Sequence, residues 1–185
     1  MDNAPASGSV PAYLNPAILA VFLVVTAIFT ATGDWYHAFK MIHVIFALIW
    51  IGGGFLLTIL GLTAERTNDP AELATVAKQA ATVGEKLFTP AALFTLLSGI
   101  AMMLNIDWGW STFWVLFGLL GFAASFAVGV GVLTPLSKQA RQIAMTSGPT
   151  SPEAVAVTKK ILLVARFDMA VLLLVVVDMA VKPWA

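Results

Sequence analysis

Five apolar stretches of about 20 residues or more constrain this chain more than any other feature of its sequence. A transmembrane helix needs about 20 apolar residues, and inside a bilayer the backbone can satisfy its hydrogen bonds only within helices or closed barrels. We therefore expect an all-α integral membrane bundle of five transmembrane helices. The stretches cover residues 13–32, 35–62, 87–105, 113–134 and 161–181.

The composition agrees with a lipid environment. Hydrophobic residues make up 59% of the 185 residues and charged residues only 11%, whereas a soluble domain carries about 25% charged residues. The formal net charge is zero, so the chain has no excess of positive charge with which to bind nucleic acid. It contains no cysteine, which excludes disulfides, thiolate metal sites and cysteine nucleophiles.

The domain organisation follows from the same stretches. Residues 1–12 form a polar N-terminal tail, and residues 13–185 form a single helical transmembrane domain. The tail contains no Lys or Arg, and because a secretory signal begins with basic residues, we expect no cleavable signal. The last four stretches form a predicted four-helix core, to which the first adds an N-terminal span.

Two sites have the composition of helix starts. In Asn68-Asp69-Pro70-Ala71-Glu72, Asp69 is the expected N-cap, Pro70 the first helical residue and Glu72 the second half of a capping box. The third helix is therefore predicted to begin near Pro70 and to project from the bilayer. Ser151-Pro152 has the same character and is predicted to open the fifth helix.

The basic residues predict an orientation. Seven fall in the second-to-third and fourth-to-fifth connections: Arg66, Lys78, Lys86, Lys138, Arg141, Lys159 and Lys160. The other side has only Lys40 and Lys182, so the positive-inside rule places the seven, and the N-terminus, in the cytoplasm and the C-terminus outside. An aromatic belt at the predicted outer boundary agrees, and it contains Trp35, Trp108, Trp110, Trp114 and Trp184.

Small residues on the fourth stretch predict close helix packing. They form two rows at four-residue spacing: Gly121, Ser125 and Gly129, and Ala123, Ala127 and Gly131. Such rows allow helix backbones to approach closely. They fit packing within one chain, and they also fit the seam of a homodimer.

His43 lies deeper in the second stretch than His37, which falls at the outer rim, and it is the centre of the main candidate site. Lys40 lies three residues before it and Trp50 seven after it, on the same helix face. Asp178, on the antiparallel fifth helix, lies at a similar depth, and if the two helices touch it can accept a hydrogen bond from His43, as carboxylates do behind metal ligands. His43 is thus a candidate metal or haem ligand or proton carrier; alternatively, it is a polar residue that joins two helices.

Two further ionisable residues lie within the fifth stretch, where charge is costly. Arg166 and Asp168 are two residues apart and do not face each other on a helix. Each therefore needs a partner on another helix or in water. They either fix the helix register or, through Asp168 and Asp178, form a proton or ion path.

Two motifs carry a family resemblance. They are Lys40-Met41-Ile42-His43 followed by Trp50-Ile51-Gly52-Gly53, and the ending Asp178-Met179-Ala180-Val181-Lys182-Pro183. Together they resemble a family of predicted bacterial integral membrane proteins of unknown function, over about residues 35–183. More distantly, the first motif resembles HemJ-type protoporphyrinogen oxidases and CopD-type copper-resistance membrane proteins. In the HemJ type, the histidine of this motif is associated with haem binding, a role that would fall on His43.

We expect a bacterial inner-membrane protein, and three functions remain open from the residues and the resemblance together. The first is a site for haem b or a porphyrin near the outer ends of the second and fifth helices, held by His43 with Lys40, Trp50 and Asp178. The second is a non-enzymatic scaffold, as a homodimer or as a subunit of a larger membrane complex. The third is a proton or ion transporter that uses Asp168 and Asp178.

Overall fold

The computed structural model describes residues 35–106 and 108–183, together with Ala20, Val24, Ala27, Ile28 and Ala31. The expected tail (1–12) and first span (13–32) lie outside the described residues apart from those five positions, and so does Trp184. The described part is helical, which agrees with the all-α prediction. Its four helices are α1 (Trp35–Thr67), α2 (Pro70–Asn105), α3 (Phe113–Thr146) and α4 (Pro152–Val181).

Three of these helices, α1, α2 and α3, are long and apolar enough to cross a membrane. The fourth, α4, is 30 residues long, so its length is also sufficient. What distinguishes α4 is charge within its apolar part, which contains Arg166, Asp168 and Asp178.

The predicted start of α2 is confirmed. Asp69 is extended at the N-cap, its Oδ1 accepts a hydrogen bond from the Ala71 backbone N–H at 2.8 Å, and Pro70 is the first helical residue. The capping box is wrong in detail, because Glu72 Oε2 accepts from the Thr67 hydroxyl at 2.7 Å. The hydroxyl of Thr67 also lies 3.4 Å from the Asp69 backbone N–H that the box would have assigned to Glu72.

The start of α4 is also as predicted. Ser151 is extended, and its Oγ accepts a hydrogen bond from the Ala154 backbone N–H at 3.3 Å, with Pro152 as the first helical residue. The helix thus begins nine residues before the apolar stretch 161–181 does.

All the described helices are longer than a bilayer requires, not only α2. With 30 to 36 residues each, they are about 45–54 Å long at 1.5 Å per residue, against a hydrocarbon thickness of about 30 Å. The helical hydrogen bonds continue past the ends of the apolar stretches into more polar segments. The extensions pack on one another through Ala64, Leu73, Val76 and Leu162, with Val155 at the edge of the cluster.

The helices pack in two pairs that join through α4. We call the two ends of the bundle the α2–α3 end and the α3–α4 end, after the connections that lie there. Towards the α2–α3 end, α1 packs against α2, and α3 packs against α4. Towards the α3–α4 end, α4 contacts all three other helices. This arrangement determines which polar side chains can meet.

Glycines on α3 allow its close contact with α4. A Cβ on Gly118 would collide with the Met179 side chain, and one on Gly121 would collide with Val175. Ser125 is buried on the same face. The row of Gly121 and Ser125 therefore packs within the chain, as one of the two interpretations expected. By contrast, the second row, Ala123, Ala127 and Gly131, is exposed.

Each of the three apolar helices contains one π-helical turn, and two of these turns carry the same motif. The turns are Leu48–Gly52, Gly84–Phe88 and Gly129–Leu133. In the last two, a glycine is followed five residues later by Thr-Pro, and the threonine hydroxyl donates to that glycine's carbonyl, at 3.1 Å in Thr89–Gly84 and 2.9 Å in Thr134–Gly129. Because proline has no N–H and its ring crowds the preceding turn, the helix widens there. The sequence contains this short repeat, which our sequence analysis did not identify.

Candidate functional site

His43 lies between α1 and α2. Its Nδ1 is 2.7 Å from the backbone carbonyl oxygen of Thr95. A carbonyl can only accept, so Nδ1 carries the proton, and the lone pair of the neutral ring is on Nε2. This contact is the one hydrogen bond of His43 in the described part of the chain. Fixing the tautomer through a backbone carbonyl is a common arrangement behind histidines that bind metals through Nε2.

Gly99 makes this position of the ring possible. A Cβ at residue 99 would lie 3.1 Å from His43 Cε1 and 3.2 Å from Nδ1. These distances are shorter than ordinary van der Waals contact, so a side chain there would push the imidazole away from α2. Gly99 was not among the predicted site residues. The sequence feature that could have identified it is its position, one helical turn after Thr95 in a segment without other glycines nearby.

The expected hydrogen bond between His43 and Asp178 is not formed. Both carboxylate oxygens of Asp178 are buried and have no hydrogen-bond partner in the structure. The sequence places the two residues at a similar depth, but depth does not determine which helices are neighbours. At this level α1 packs on α2, and a carbonyl of α2 takes the place expected for the carboxylate.

Lys40 and Trp50 do not join His43 in one cluster. Lys40 is exposed, and its Nζ lies 5.9 Å from the centroid of the Tyr36 ring. Trp50 packs edge-on against Phe122 of α3, with 5.5 Å between ring centroids. Each of the three residues therefore contacts a different partner: Tyr36 for Lys40, α2 for His43 and α3 for Trp50.

Arg166 and Asp168 each have a partner on another helix, as expected for charges in an apolar segment. Arg166 forms an ion pair with Glu65 of α1. Asp168 Oδ2 accepts a hydrogen bond from the Ser125 hydroxyl of α3 at 3.0 Å. Glu65 was not predicted, because the apolar stretch ends at residue 62 whereas α1 continues to Thr67.

A groove between α3 and α4 contains the Asp168 contact. Its volume is about 210 Å³, and its lining is apolar except for Ser125 and Asp168. Asp178 lies ten residues further along α4, which is about 15 Å of helix. The two carboxylates therefore cannot exchange a proton directly.

An aromatic cluster at the α2–α3 end holds the Lys182 ammonium group. The Nζ atom lies 4.4 Å from the ring centroid of Trp108 and 4.8 Å from that of Trp114. The Trp108 ring also contacts Trp114 and Tyr36 edge-on, at centroid distances of 5.4 and 5.5 Å. These tryptophans belong to the predicted interfacial belt, but their spacing in the sequence does not show that two of them contact a lysine.

One comparison with known proteins is informative. No curated protein and no solved structure matches the chain significantly. A family model matches residues 37–183, which is most of the chain and includes His43, both Thr-Pro turns and the two tryptophans around Lys182. The model's description is "Predicted integral membrane protein", and its function is unknown. The chain therefore belongs to this family of multi-pass integral membrane proteins, DUF2269.

Proposed function

We propose that this membrane protein binds haem b or a related porphyrin, which Nε2 of His43 would hold through the iron. The observation that supports this proposal is the contact of His43 Nδ1 with the Thr95 carbonyl, at 2.7 Å. It gives the ring the tautomer that a ligand needs and fixes its orientation from a rigid helix. A histidine that only joined two helices would not need its second nitrogen free of hydrogen bonds.

The residues around His43 fit a haem better than a bare metal ion. Among residues 35–106 and 108–183, no three His, Asp or Glu side chains come together as metal ligands. In haem the macrocycle supplies four nitrogens, so one imidazole is enough. Lys40 is exposed and lies one turn closer than His43 to the N-terminal end of α1, where its ammonium group can pair with a haem propionate. When bound, haem iron supplies one-electron redox chemistry, which the side chains of this protein lack.

The decisive experiment is the Soret absorbance of the purified protein per mole of chain, after expression with haem supplied. Wild type should show a Soret band and His43→Ala should lose it, whereas His37→Ala, the matched control, should keep it. Asp178→Asn should also keep it, since Asp178 makes no hydrogen bond to His43. If wild type binds no haem, or if His43→Ala binds as much as wild type, this function is excluded, and the scaffold interpretation replaces it.

We also propose that the protein crosses the bacterial inner membrane five times, with the α3–α4 end in the cytoplasm. The segment 13–32 supplies the first span and α4 the last. Two of the three charges in the apolar part of α4 are compatible with this because Arg166 and Asp168 have partners on other helices. The distribution of Lys and Arg supports the orientation, since the connections at the α3–α4 end contain most of them.

A further inference from the structure

We propose that the α2–α3 end of the bundle is a binding site for an organic ammonium group, and that the side chain of Lys182 occupies this site when no ligand is bound. The site consists of the indole faces of Trp108 and Trp114 and the carboxylate of Asp178. It is separate from the histidine site, because neither Trp108 nor Trp114 contacts His43 through any described interaction.

The first observation is the position of the lysine ammonium. Its Nζ atom lies within 5 Å of two indole centroids, at 4.4 and 4.8 Å. Indole has the strongest cation–π attraction of the side chains, and aromatic cages built in this way recognise ammonium ligands. The two rings are fixed with respect to each other by their own edge-to-face contact at 5.4 Å. The cage thus exists as a rigid feature and holds a cation.

The second observation is a buried carboxyl group without a partner. Asp178 is only 7% exposed, and neither of its carboxylate oxygens has a hydrogen bond. Buried carboxylates are normally paired or hydrogen-bonded, since an isolated one is very unfavourable. Asp178 lies one helical turn before Lys182, whose backbone N–H donates to the Asp178 carbonyl at 2.7 Å. The side chain of Lys182 nevertheless lies over the tryptophans and leaves the carboxylate unpaired.

A third observation comes from the cage itself. Trp114 is 5% exposed, and its indole N–H is also buried without a partner. A ligand that brings a cationic head and a hydrogen-bond acceptor, such as an amino alcohol, would satisfy both Asp178 and Trp114. A metal cation would find one carboxylate and no further oxygen ligands from the described site residues, and an anion would be repelled by Asp178. An ammonium group with alkyl substituents fits the two indole faces and Asp178, and an oxygen acceptor attached to it would accept the hydrogen bond of Trp114.

The backbone at Lys182 agrees with a specific role for its side chain. Lys182 follows the last residue of α4 with φ of 48°, in the left-handed region, where glycine is the usual residue after a helix. Lysine is costlier there than glycine. Its presence is understandable if the side chain is the tethered cation of this site.

The probe is tetramethylammonium, titrated into the full chain in maltoside micelles, which contain no ammonium group, while tryptophan fluorescence is measured. Wild type should bind weakly because Lys182 competes. Lys182→Met, which keeps the length of the side chain and removes its charge, should bind about tenfold more tightly. Adding Asp178→Asn to Lys182→Met should reverse that gain. Trp110→Phe is the control, since Trp110 is 45% exposed and not part of the cage.

Several outcomes would overturn the proposal. If tert-butanol, a neutral molecule of similar shape, changes the fluorescence as strongly as tetramethylammonium does, the site is only apolar. If Lys182→Met gains no affinity, lysine does not occupy a ligand site. If Asp178→Asn does not elute as a folded species on size exclusion, Trp108→Leu is used in its place. Unchanged tetramethylammonium binding in Trp108→Leu would also contradict the proposal.

Two sources of the ligand can be separated in the same assay. Micelles doped with phosphatidylethanolamine should suppress the tetramethylammonium signal if a lipid headgroup is the natural occupant, and should leave it unchanged if the occupant is a free amine. The His43→Ala variant should bind tetramethylammonium as wild type does. Loss of haem binding and loss of ammonium binding are therefore distinguishable.

Discussion

Arg166 of α4 is ion-paired with Glu65 of α1, across 101 residues of sequence. The two side chains are each about one quarter exposed. Side chains on a helix lean towards its N-terminus, and because the two helices run in opposite directions, the arginine and the glutamate lean towards each other. The pair joins α1 to α4 near the boundary between the polar first turns of α4 and its apolar part.

This pair should couple in a double-mutant cycle. Glu65→Gln or Arg166→Met alone should lower the free energy of unfolding by about 1–2 kcal/mol, since each leaves a half-buried charge without its partner. The double variant should cost less than the sum of the two. Unfolding in mixed micelles, followed by circular dichroism, gives the three values. Strictly additive losses would show that the ion pair contributes nothing to stability.

Ser125→Ala should lower the free energy of unfolding by about 1 kcal/mol, because it leaves the Asp168 carboxylate without the hydroxyl that donates to it at 3.0 Å. Ser111→Ala is the matched control, since Ser111 is exposed in the α2–α3 connection. The same unfolding measurement applies. In an Asp168→Leu background, which has no acceptor at residue 168, Ser125→Ala should cost little, whereas equal losses in both backgrounds would contradict the bond.

Gly99→Val should reduce haem binding without changing any ligand. Its Cβ would lie 3.1–3.2 Å from the His43 ring, and the added methyl groups would move the imidazole off the Thr95 carbonyl. The expected result is a Soret band at least several-fold weaker than in wild type, with unchanged elution on size exclusion. Gly84→Val is the control, since a Cβ there meets nothing within 4 Å. A full Soret band in Gly99→Val would show that haem binding does not depend on the contact between His43 and the Thr95 carbonyl.

The Thr-Pro turns should be sites where the helices bend. Pro90→Ala restores an N–H and relieves the crowding by the ring, so the π turn Gly84–Phe88 should tend towards a regular α-helical turn. Spin labels at residues 78 and 104 would then report a changed distance in pulsed electron resonance. A distance distribution identical to that of wild type would show that the turn is fixed by packing and not by the proline.

The orientation can be tested cleanly because the chain has no cysteine. Single cysteines at Ser111, in the α2–α3 connection, and at Ser147, in the α3–α4 connection, are exposed in the structure. A membrane-impermeant thiol reagent added to intact cells should label the first and not the second. Labelling of only the second would reverse the proposed topology.

Much of the architecture could be deduced from the chain by itself. Apolar length predicts the membrane helices, because a backbone without water must form its hydrogen bonds internally, and local chemistry predicts their starts at Pro70 and Pro152, because capping involves neighbours in sequence. The cost of charge in an apolar helix likewise predicts that Arg166 and Asp168 have partners. These properties depend on composition or on residues a few positions apart, and the sequence contains both.

Only the tertiary structure decided which residues meet. His43 and Asp178 lie at a similar depth in sequence terms, yet His43 contacts Thr95 while Asp178 remains buried without a partner. Several arrangements of helices satisfy the same apolar pattern, since lipid tails are as apolar as the side chains. The choice between them depends on shape, such as the close approach that Gly118 and Gly121 allow between α3 and α4. Contacts set in this way, between residues far apart in the chain, leave no periodic signal in the sequence.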